Sequence, residues 1–589
     1  MRYTIYPTPQ DVKYLARSTY LNKPFEMVFD ENIDENNRNS IFEIIEKLGY
    51  EVSQDEENEN ITINVKIDEN LSRIDEHSIE ITENEINIVA NSNDSVYYAY
   101  MTLSQTLQQS TDILRNVEII DYADQKIRGA IEGYYGIPYT TEKRKDMMNF
   151  SSQFKANTFV YAPKDDPYHR EKWDDLYPED MLKDFQMLGE LGDKIKTRFI
   201  WTISPFKKDS NPISEENYDE AIVKLLNKLD QIYGIGIRQF GVLGDDVGEL
   251  PKNIVVKVMH AVSEWAKTKS EKIYDFVFVP EGYVLAEWGF RPEEIDVYSK
   301  EFPSDVQIMF TGETTCAPVT QGAIDGFKTR KTNIGERRDP LFWLNWPVND
   351  IDRTTHRRIF MGKGEMLDPG VKNIIGTITN TLEEAYASYP AVFAISDYAW
   401  NTEDFNAQKS WEDSFKFIEK VASDELYEIA KHMSNADNGG IEGLEESEEM
   451  KQIIDEFEKN MDSDNIFEYR YPLMTLKADY QKIVDSIEAY YKKAENTKLS
   501  KEIKPYVSNL KYKSEAALNL LNAYEAKKNN NLELFNEKLK LGLELLNKSN
   551  TYFVKTKTAE FDAKELIAAS GTLRLDRNIE KIKNYLQDN

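Results

Sequence analysis

Two adjacent carboxylates, Asp245 and Asp246, are the residues whose types and spacing point most directly to chemistry. They follow the apolar run at residues 238–243, which is typical of a buried β-strand. Neighbouring side chains in a strand point to opposite faces, so both acids can enter one pocket only where the strand ends. Such a pair suits glycoside cleavage, in which one carboxyl protonates the leaving oxygen and another group stabilises an oxocarbenium-like centre. The alternative is that Asp245 caps the next helix and Asp246 is only solvated.

The sequence lacks the patterns of other catalytic and metal-binding classes. It contains no GxSxG, HExxH or GxxxxGK[ST] motif. Its five histidines are scattered and Cys316 is the only cysteine, so we expect no metal, no cofactor and no disulfide. His169 alone lies near the predicted site, where we expect a hydrogen-bonded support. A second acidic pair, Asp165 and Asp166, precedes Pro167, which favours a turn and a scaffolding role.

Eight short apolar runs, each followed by a turn and a helical stretch, must position these acids. Strands that alternate with helices imply right-handed βαβ units and a parallel sheet. Eight units within residues 126–404 fit a closed (β/α)8 TIM-type barrel, with an open doubly wound sheet as the alternative. The predicted strands are residues 128–132, 158–161, 198–203, 238–243, 275–279, 306–311, 341–345 and 371–377.

We predict an α/β fold in which two further domains flank the barrel. Residues 1–125 mix β-type runs with helical stretches, which indicates an α+β domain. Residues 405–589 show no strand pattern and carry apolar residues at helical spacing, which is typical of a helical bundle with a break at residues 434–440. Its two apolar stripes are Ala517, Leu520, Leu521 and Tyr524, and then Phe535, Leu539, Leu543, Leu546 and Phe553.

Charge and hydropathy narrow the range of partners. The formal net charge of −32 argues against nucleic acid, because that affinity rests on lysine and arginine displacing counterions. No apolar stretch reaches the length of a membrane span. The N-terminus has no basic segment followed by an apolar run, so we expect a cytoplasmic protein, or a secreted one whose signal peptide was trimmed.

Polar and aromatic residues follow most of the predicted strands. Active sites of TIM barrels lie at the carboxyl ends of the strands, so these residues should share one rim. Carboxylates, amides and aromatic rings without a cationic cluster suggest a carbohydrate ligand, since sugar rings stack on Trp and Tyr and hydroxyls bind Asp and Asn. The rim segments are EGYYG (132–136), PKDDPYH (163–169), GDD (244–246), PEGY (280–283), NWPVND (345–350) and TN (379–380).

Four segments, in order, resemble glycoside hydrolase family 84, which contains the bacterial and animal O-GlcNAcases and some clostridial enzymes named hyaluronidases. They are RGAIEGYYGIPY (128–139), NTFVYAPKDDPYHREKW (157–173), GDD (244–246) and NWPVND (345–350). The resemblance implies a retaining exo-β-N-acetylglucosaminidase that removes terminal β-linked GlcNAc from glycopeptides or glycans. It also implies substrate-assisted catalysis, in which the acetamido oxygen of the sugar attacks the anomeric carbon and an oxazoline forms.

The same resemblance implies a role for each motif residue. Asp245 would orient the acetamido N–H and stabilise the developing positive charge, while Asp246 would act first as general acid and then as base. A further set would hold the sugar through its hydroxyls and acetamido group. That substrate-binding set is Gly133, Lys164, Tyr283, Trp343, Asn345, Asp350 and Asn380.

Three positions depart from the family pattern. The usual EGFYG is EGYYG here, Phe206 takes the place of a glycine in an SPG turn, and Gly244 stands where a hydrophobic residue often precedes the acids. We expect Phe206 to narrow the rim and Gly244 to loosen the acids. The change at Gly244 leaves open a weak or inactive glycan-binding or adhesion protein on the same barrel. An endo-acting, hyaluronidase-like enzyme also stays open, because the sequence does not show whether the pocket is blind or a groove.

Overall fold

The computed structural model describes residues 2–53, 59–248, 250–351, 355–434, 441, 443–558 and 561–588. The first part is a six-stranded sheet with two helices, α1 (Glu35–Lys47) and α2 (Asn93–Gln108). Its strand order is β1-β6-β4-β5-β3-β2, and α2 packs against β3, β4 and β5. The strands are β1 (Asp11–Tyr20), β2 (Phe25–Phe29), β3 (Ile61–Ile67), β4 (His77–Ile81), β5 (Glu85–Ala90) and β6 (Ile113–Asp121).

Eight parallel strands then close into a barrel, which confirms the predicted TIM-type fold and excludes the open sheet. The short strand β14 (His356–Arg358) lies outside the barrel. The barrel strands are β7 (Ile127–Glu132), β8 (Thr158–Tyr161), β9 (Arg198–Ile203), β10 (Gln239–Leu243), β11 (Phe276–Val279), β12 (Val306–Phe310), β13 (Leu341–Leu344) and β15 (Gly376–Asn380).

Seven helices follow barrel strands, and in the described residues between β13 and β15 the chain forms β14 and no α-helix. Apolar side chains fill the barrel interior, among them Ile131, Ile200 and Ile378, as the packed core of a TIM barrel requires. The helices are α3 (Thr141–Ser152), α4 (Glu179–Lys194), α5 (Tyr218–Gly234), α6 (Lys252–Lys267), α7 (Pro292–Glu301), α8 (Gln321–Thr329) and α9 (Tyr389–Trp400).

The eighth barrel strand lies further along the chain than predicted. It is β15, Gly376–Asn380, and not residues 371–377. The extended ladder cannot include Asn373, which has a left-handed φ of 60°. At Gly376 the neighbouring strand approaches so closely that a Cβ would meet the Ile127 carbonyl oxygen at 2.0 Å, which only glycine permits. Asn380 therefore ends the strand and does not follow it.

The remaining chain is mostly helical but not wholly so. A hairpin, β16 (Phe553–Thr558) and β17 (Phe561–Ala569), corrects the expectation that strands end after residue 400. Phe553 was predicted on a helix face, but it begins β16, and β17 pairs in parallel with β14. The helices are α10 (Ala407–Ile418), α11 (Ser423–Ala430), α12 (Lys451–Asn460), α13 (Ile466–Ala494), α14 (Lys498–Lys528), α15 (Leu532–Ser549) and α16 (Leu575–Asp588).

Packing agrees with the predicted stripes on two of these helices. All four residues of the first stripe are buried on α14, and α15 presents the helical part of the second stripe half-buried. The predicted break falls largely on residues 435–440, which lie outside the described residues. Among the residues that are described, no helix is long and apolar enough to cross a bilayer.

Candidate active site

A cavity of about 680 Å³ opens where the barrel strands end, a size suited to a small ligand. Its lining comes from the carboxyl ends of β11, β13 and β15 and from the loops after β7, β8, β10, β11, β12 and β13. All nine residues predicted for the site line this one cavity. They are Asp245, Asp246, Gly133, Lys164, Tyr283, Trp343, Asn345, Asp350 and Asn380.

Asp245 is buried and forms an ion pair with Lys164, whose Nζ lies 2.5 Å from Asp245 Oδ2. Burial alone would raise the pKa of Asp245, but Lys164 and the nearby Arg170 outweigh it and hold that pKa below its usual value. Burial likewise opposes the charged form of Lys164, yet Asp245 raises the pKa of the ammonium. Both partners are therefore charged at neutral pH, and a fixed negative charge stands at the inner end of the cavity.

Asp246 is exposed, in contrast to its neighbour. Its φ is 55°, in the left-handed region that costs a non-glycine residue on the order of 1 kcal/mol. This turn in the backbone is what allows two consecutive side chains to face one cavity. The result is a buried, ion-paired carboxylate beside an accessible one.

Two phenols hold the Asp246 carboxylate from different loops. Tyr135 Oη donates to Oδ2 at 2.9 Å, and Tyr283 Oη donates to Oδ1 at 3.2 Å. Burial raises the pKa of both phenols, and the nearby charge of Asp246 raises it further. Each phenol therefore stays protonated and donates, so the two bonds fix the position of the exposed acid.

A hydrogen-bond network of side-chain amides forms another part of the cavity wall. Asn345 Oδ1 accepts from Trp343 Nε1 and from Asn380 Nδ2, both at 2.9 Å. The Asn345 amide in turn donates to the Thr315 carbonyl at 2.7 Å, and Asn380 Oδ1 accepts from the Gly133 N–H at 3.1 Å. These bonds fix both amide orientations, so the wall is preorganised for a polar ligand.

Close packing explains the glycine beside this wall. A Cβ built on Gly133 would lie 2.5 Å from Trp343 Cζ2, so any side chain there would displace the indole. Asp350 also binds the loop after β7, because its Oδ2 accepts from the Tyr135 N–H at 2.9 Å. The loop after β7 thus links the amide wall to the phenol that holds Asp246.

Glu383, which does not line the cavity, forms a hydrogen bond that holds the loop after β7. Its Oε1 accepts from the Ile137 N–H at 3.0 Å, and its Oε2 accepts from Thr556 Oγ1 at 2.8 Å and from the Arg357 guanidinium. Burial raises the pKa of Glu383 to about 7 although Arg357 opposes that shift. Through one carboxyl, strands β14 and β16 are connected to the loop that carries Tyr135.

The two predicted supports have the predicted character. His169 is buried, its Nδ1 lies 2.8 Å from the Thr202 carbonyl, and burial lowers its pKa to about 3, so it is a neutral hydrogen-bonded support. Asp166 accepts from the phenols of Tyr161 at 2.9 Å and Tyr177 at 2.6 Å, which is a scaffolding role. Neither residue lines the cavity.

Two expectations about the rim are wrong. Phe206 is buried in the hydrophobic core and does not line the cavity, so it does not narrow the rim. Gly244 does not loosen the acids, because its N–H donates to the Val279 carbonyl at 2.8 Å. A Cβ there would lie 2.7 Å from Leu250 Cδ1 and 3.0 Å from the Val279 carbonyl oxygen, so Gly244 is closely packed.

Sequence reasoning missed several residues of the site. Tyr135 and the buried Arg170 lie within the family-like strings, so their position was the available signal. Trp288 lies beyond the PEGY segment and Ile351 directly follows the NWPVND segment; neither belongs to a quoted motif, and neither was found. Cys316, the only cysteine of the sequence, lines the cavity, and burial raises the pKa of its thiol to about 12, so it stays protonated.

One group of potential metal ligands occurs within the described ranges. Ligand atoms of Glu428, His432 and Glu449 lie within 4.8 Å of one another, and none of these residues lines the cavity. Lys431 lies 3.0 Å from a carboxylate oxygen of each glutamate, and Lys482 lies 2.8 Å from Glu428. These ammonium groups already supply the positive charge, so we assign no metal to the group.

Two family models match the chain. A β-N-acetylglucosaminidase model matches residues 128–431, and a model of glycosyl hydrolase family 20, domain 2, matches residues 2–122. Protein O-GlcNAcase of Rattus norvegicus and that of Mus musculus are each 26% identical over 286 residues, or 46% of this chain. The match spans 29% of the length of those curated relatives.

Solved structures resemble the chain over a greater length. CpGH84D is 34% identical with a TM-score of 0.89, and the match covers 100% of both chains. CpGH84B is 23% identical with a TM-score of 0.84, covering 99% of this chain and 100% of its own. A mutant O-GlcNAc hydrolase of Thermobaculum terrenum is 18% identical with a TM-score of 0.63, covering 78% and 95%. The last two likenesses concern the fold alone.

Proposed function

Because the chain belongs to glycoside hydrolase family 84, the β-N-acetylglucosaminidases, we propose that it is a retaining exo-β-N-acetylglucosaminidase acting on terminal β-linked GlcNAc in glycans or glycopeptides. The observation that carries the proposal is the unequal environment of two consecutive carboxylates. Asp245 is buried and ion-paired, whereas Asp246 is exposed and held by two phenols. One acid is suited to electrostatic stabilisation and the other to proton transfer.

The proposed mechanism uses the acetamido group of the sugar as the nucleophile. Its carbonyl oxygen attacks the anomeric carbon while Asp246 donates a proton to the leaving oxygen, and the glycosidic bond breaks. Asp245 accepts the acetamido N–H and stabilises the positive charge of the oxazoline. Asp246 then takes a proton from the water that opens the oxazoline, which regenerates the acid. The anomeric carbon of the product keeps the configuration of the substrate. An enzymic nucleophile would instead require carboxyls about 5 Å apart across the bond.

The family resemblance and the geometry both support a cavity in which the two acids act on the glycosidic bond and the amide wall binds the sugar. The amide wall of Trp343, Asn345 and Asn380 offers hydrogen bonds to the hydroxyls of a single sugar ring. The expectation that motivated an inactive, glycan-binding protein was a loosened acid pair. Since Gly244 is fixed by a hydrogen bond and by close packing, that motivation falls away.

The proposal is tested with an aryl β-GlcNAc and its glucosamine analogue, which lacks the acetyl group. We expect hydrolysis of the first and a loss of roughly several hundredfold or more on the second, because the analogue has no acetamido oxygen positioned to attack the anomeric carbon. Equal turnover of both would rule out substrate assistance. No turnover of either, or of a GlcNAc-terminated glycan or glycopeptide, would reject the enzyme itself.

A further inference from the structure

The end of β11 and the loop after it contact the segment that carries the two acids. Before the acids, the Gly244 N–H donates to the Val279 carbonyl at 2.8 Å. After them, the Val247 N–H donates to Glu281 Oε2 at 3.1 Å. The backbone is therefore held on both sides of the pair, on one side by a main-chain carbonyl and on the other by a carboxyl group.

Asp246 requires such support, because its φ of 55° lies in the left-handed region. A non-glycine residue keeps such a conformation only where the surrounding contacts hold it. Tyr283 holds the side chain, since its Oη donates to Asp246 Oδ1 at 3.2 Å. Glu281, two residues earlier in the chain, holds the peptide N–H that follows Asp246. One segment, residues 281–283, therefore fixes both the backbone and the side chain of this acid.

Water is poorly placed to take over the role of Glu281. Val247 is buried, so its N–H would lose its partner if the carboxyl were removed, which is unfavourable. The carboxyl is itself held in place, because Arg291 Nη2 lies 3.7 Å from Glu281 Oε1. A Cβ built on Gly282 would lie 2.8 Å from Arg291 Cβ, so the arginine packs against the backbone next to Glu281. These contacts set the distance between the carboxyl and the Val247 N–H.

The bond to Val247 does not depend on the charge of Glu281. Burial raises the pKa of the Glu281 carboxyl and the two nearby acids raise it further, whereas the Val247 N–H and Arg291 oppose the shift. A carboxyl oxygen can accept from an N–H in both the charged and the neutral form. The amide oxygen of a glutamine at this position can therefore make the same bond.

We propose that Glu281 is a positioning residue for proton transfer, because its bond to the Val247 N–H keeps Asp246 in the conformation that faces the leaving oxygen. The inference rests on the proposed glycosidase function and deepens it. Glu281 does not line the cavity, so it acts through Asp246 and not on the sugar. Asp245 is held separately by its ion pair with Lys164. Loss of Glu281 should therefore impair acid catalysis more than stabilisation of the oxazoline.

Three substitutions separate the bond from the charge. Glu281→Gln keeps an acceptor oxygen at the same distance from the backbone and removes the charge. Glu281→Asp keeps the charge but shortens the side chain by one methylene, which withdraws the carboxyl from the Val247 N–H. Glu281→Ala removes both the bond and the charge. If the bond positions Asp246, the Gln variant should behave as the wild type does, and the Asp variant should behave as the Ala variant does.

The measurement is kcat/KM for a methyl and a dinitrophenyl β-GlcNAc, of which only the first needs a proton on its leaving oxygen. On the methyl glycoside, Glu281→Ala and Glu281→Asp should lower kcat/KM roughly tenfold, which corresponds to about 1.4 kcal/mol. Glu281→Gln should lower it less than about twofold. On the dinitrophenyl glycoside, all three should stay within about twofold of the wild type. On a phenyl glycoside, Glu281→Ala should add less than about twofold to the loss in Asp246→Ala, because both changes act through one carboxyl.

Glu287→Ala is the matched control. Glu287 lies in the same loop, forms an exposed ion pair with Lys331 at 2.7 Å and does not line the cavity. Its removal should change kcat/KM for neither substrate. Thermal midpoints show whether each variant folds, and the comparison of Glu281→Gln with Glu281→Asp decides the question if the Ala variant does not fold.

Four results would overturn the role of Glu281. They are unchanged kcat/KM in all three variants, equal losses on the methyl and dinitrophenyl glycosides, a loss in Glu281→Gln as large as that in Glu281→Asp, and a further loss in the Asp246→Ala background. Failure of the wild type on every glycoside would instead reject the proposed function, and the inference with it.

Discussion

Replacing Lys164 by methionine should convert Asp245 from a fixed negative charge into a group that titrates. The substitution keeps most of the volume of the side chain and removes only the ammonium, which lies 2.5 Å from Asp245 Oδ2. Both partners are buried, so water cannot take the place of the missing charge. The structure therefore predicts separable effects on stability and on catalysis.

The size of both effects follows from burial. Removing one partner of a buried ion pair costs about 3 to 5 kcal/mol, because the other charge stays buried and uncompensated. Arg170 still lies near Asp245 and offsets part of that cost, so we expect the lower end of the range. Loss of a preorganised charge at the reacting centre should lower kcat by about 100-fold near neutral pH.

The pKa shift of Asp245 fixes how the effects of Lys164→Met on stability and on kcat/KM should change with pH. In the wild type the pKa of Asp245 is lowered, so the ion pair stabilises the fold above the ordinary carboxyl pKa and is lost only as pH falls through the lowered value. Without Lys164, burial raises the pKa of Asp245. The acid limb of the kcat/KM profile should therefore move to higher pH. The deficit in thermal midpoint should be several degrees at about pH 7 and smaller at about pH 4, where protonation relieves the buried charge.

Thermal melts and pH–rate profiles of Lys164→Met and wild type measure both effects. Lys267→Met is the control, since Lys267 forms an exposed ion pair with Glu264 at 2.7 Å, and pairs of that kind contribute little. Two results together would refute the assignment of Lys164 as the group that keeps Asp245 charged. They are an acid limb of the kcat/KM profile that does not shift in Lys164→Met, and a loss of thermal midpoint that is the same at both pH values.

Three other substitutions test the acid pair. Asp246→Ala should reduce turnover of glycosides with poor leaving groups far more than of those with good ones, because only the former need protonation; equal losses on an alkyl and a dinitrophenyl glycoside would contradict its role as the acid. Tyr135→Phe removes the 2.9 Å bond to Asp246 and should lower kcat/KM roughly tenfold or more, whereas Tyr471→Phe on α13 should not change it. Gly244→Ala places a Cβ 2.7 Å from Leu250 Cδ1 and should lower both the thermal midpoint and kcat/KM, and a fully active, equally stable variant would show that the glycine is dispensable.

Strand periodicity was sufficient to predict the barrel because its strands are buried runs of β-branched and aromatic residues. The exceptions have local causes. Residues 371–375 are apolar enough to suggest a strand, but the left-handed Asn373 and the close approach at Gly376 move the ladder downstream. The hairpin after α15 was missed because four of the six residues of β16 are lysine or threonine, and because the pairing of β17 with β14 is a contact distant in sequence.

The composition of the site was predictable, whereas its geometry was not. Each predicted residue lies near the carboxyl end of a barrel strand or in the loop that follows it, and barrel topology brings these ends together. The positive φ of Asp246 and the bond from Tyr135 depend on tertiary packing, which no local pattern records. Phe206 was misjudged for the same reason, since the residue type does not tell which way the side chain turns.

The carboxyl of Glu383 joins Thr556 to Ile137, residues far apart in the order of synthesis. A ribosome that has released all eight barrel strands has not yet released β16. Glu383, which holds the loop that carries Tyr135, can therefore gain its bond from Thr556 only after the hairpin has been made. Chains shortened before β16 would keep every residue that contacts the sugar in the proposed reaction, yet leave Glu383, which accepts from the Ile137 N–H of that loop, without its bond from Thr556. In this protein the completion of the catalytic rim is an event of late translation.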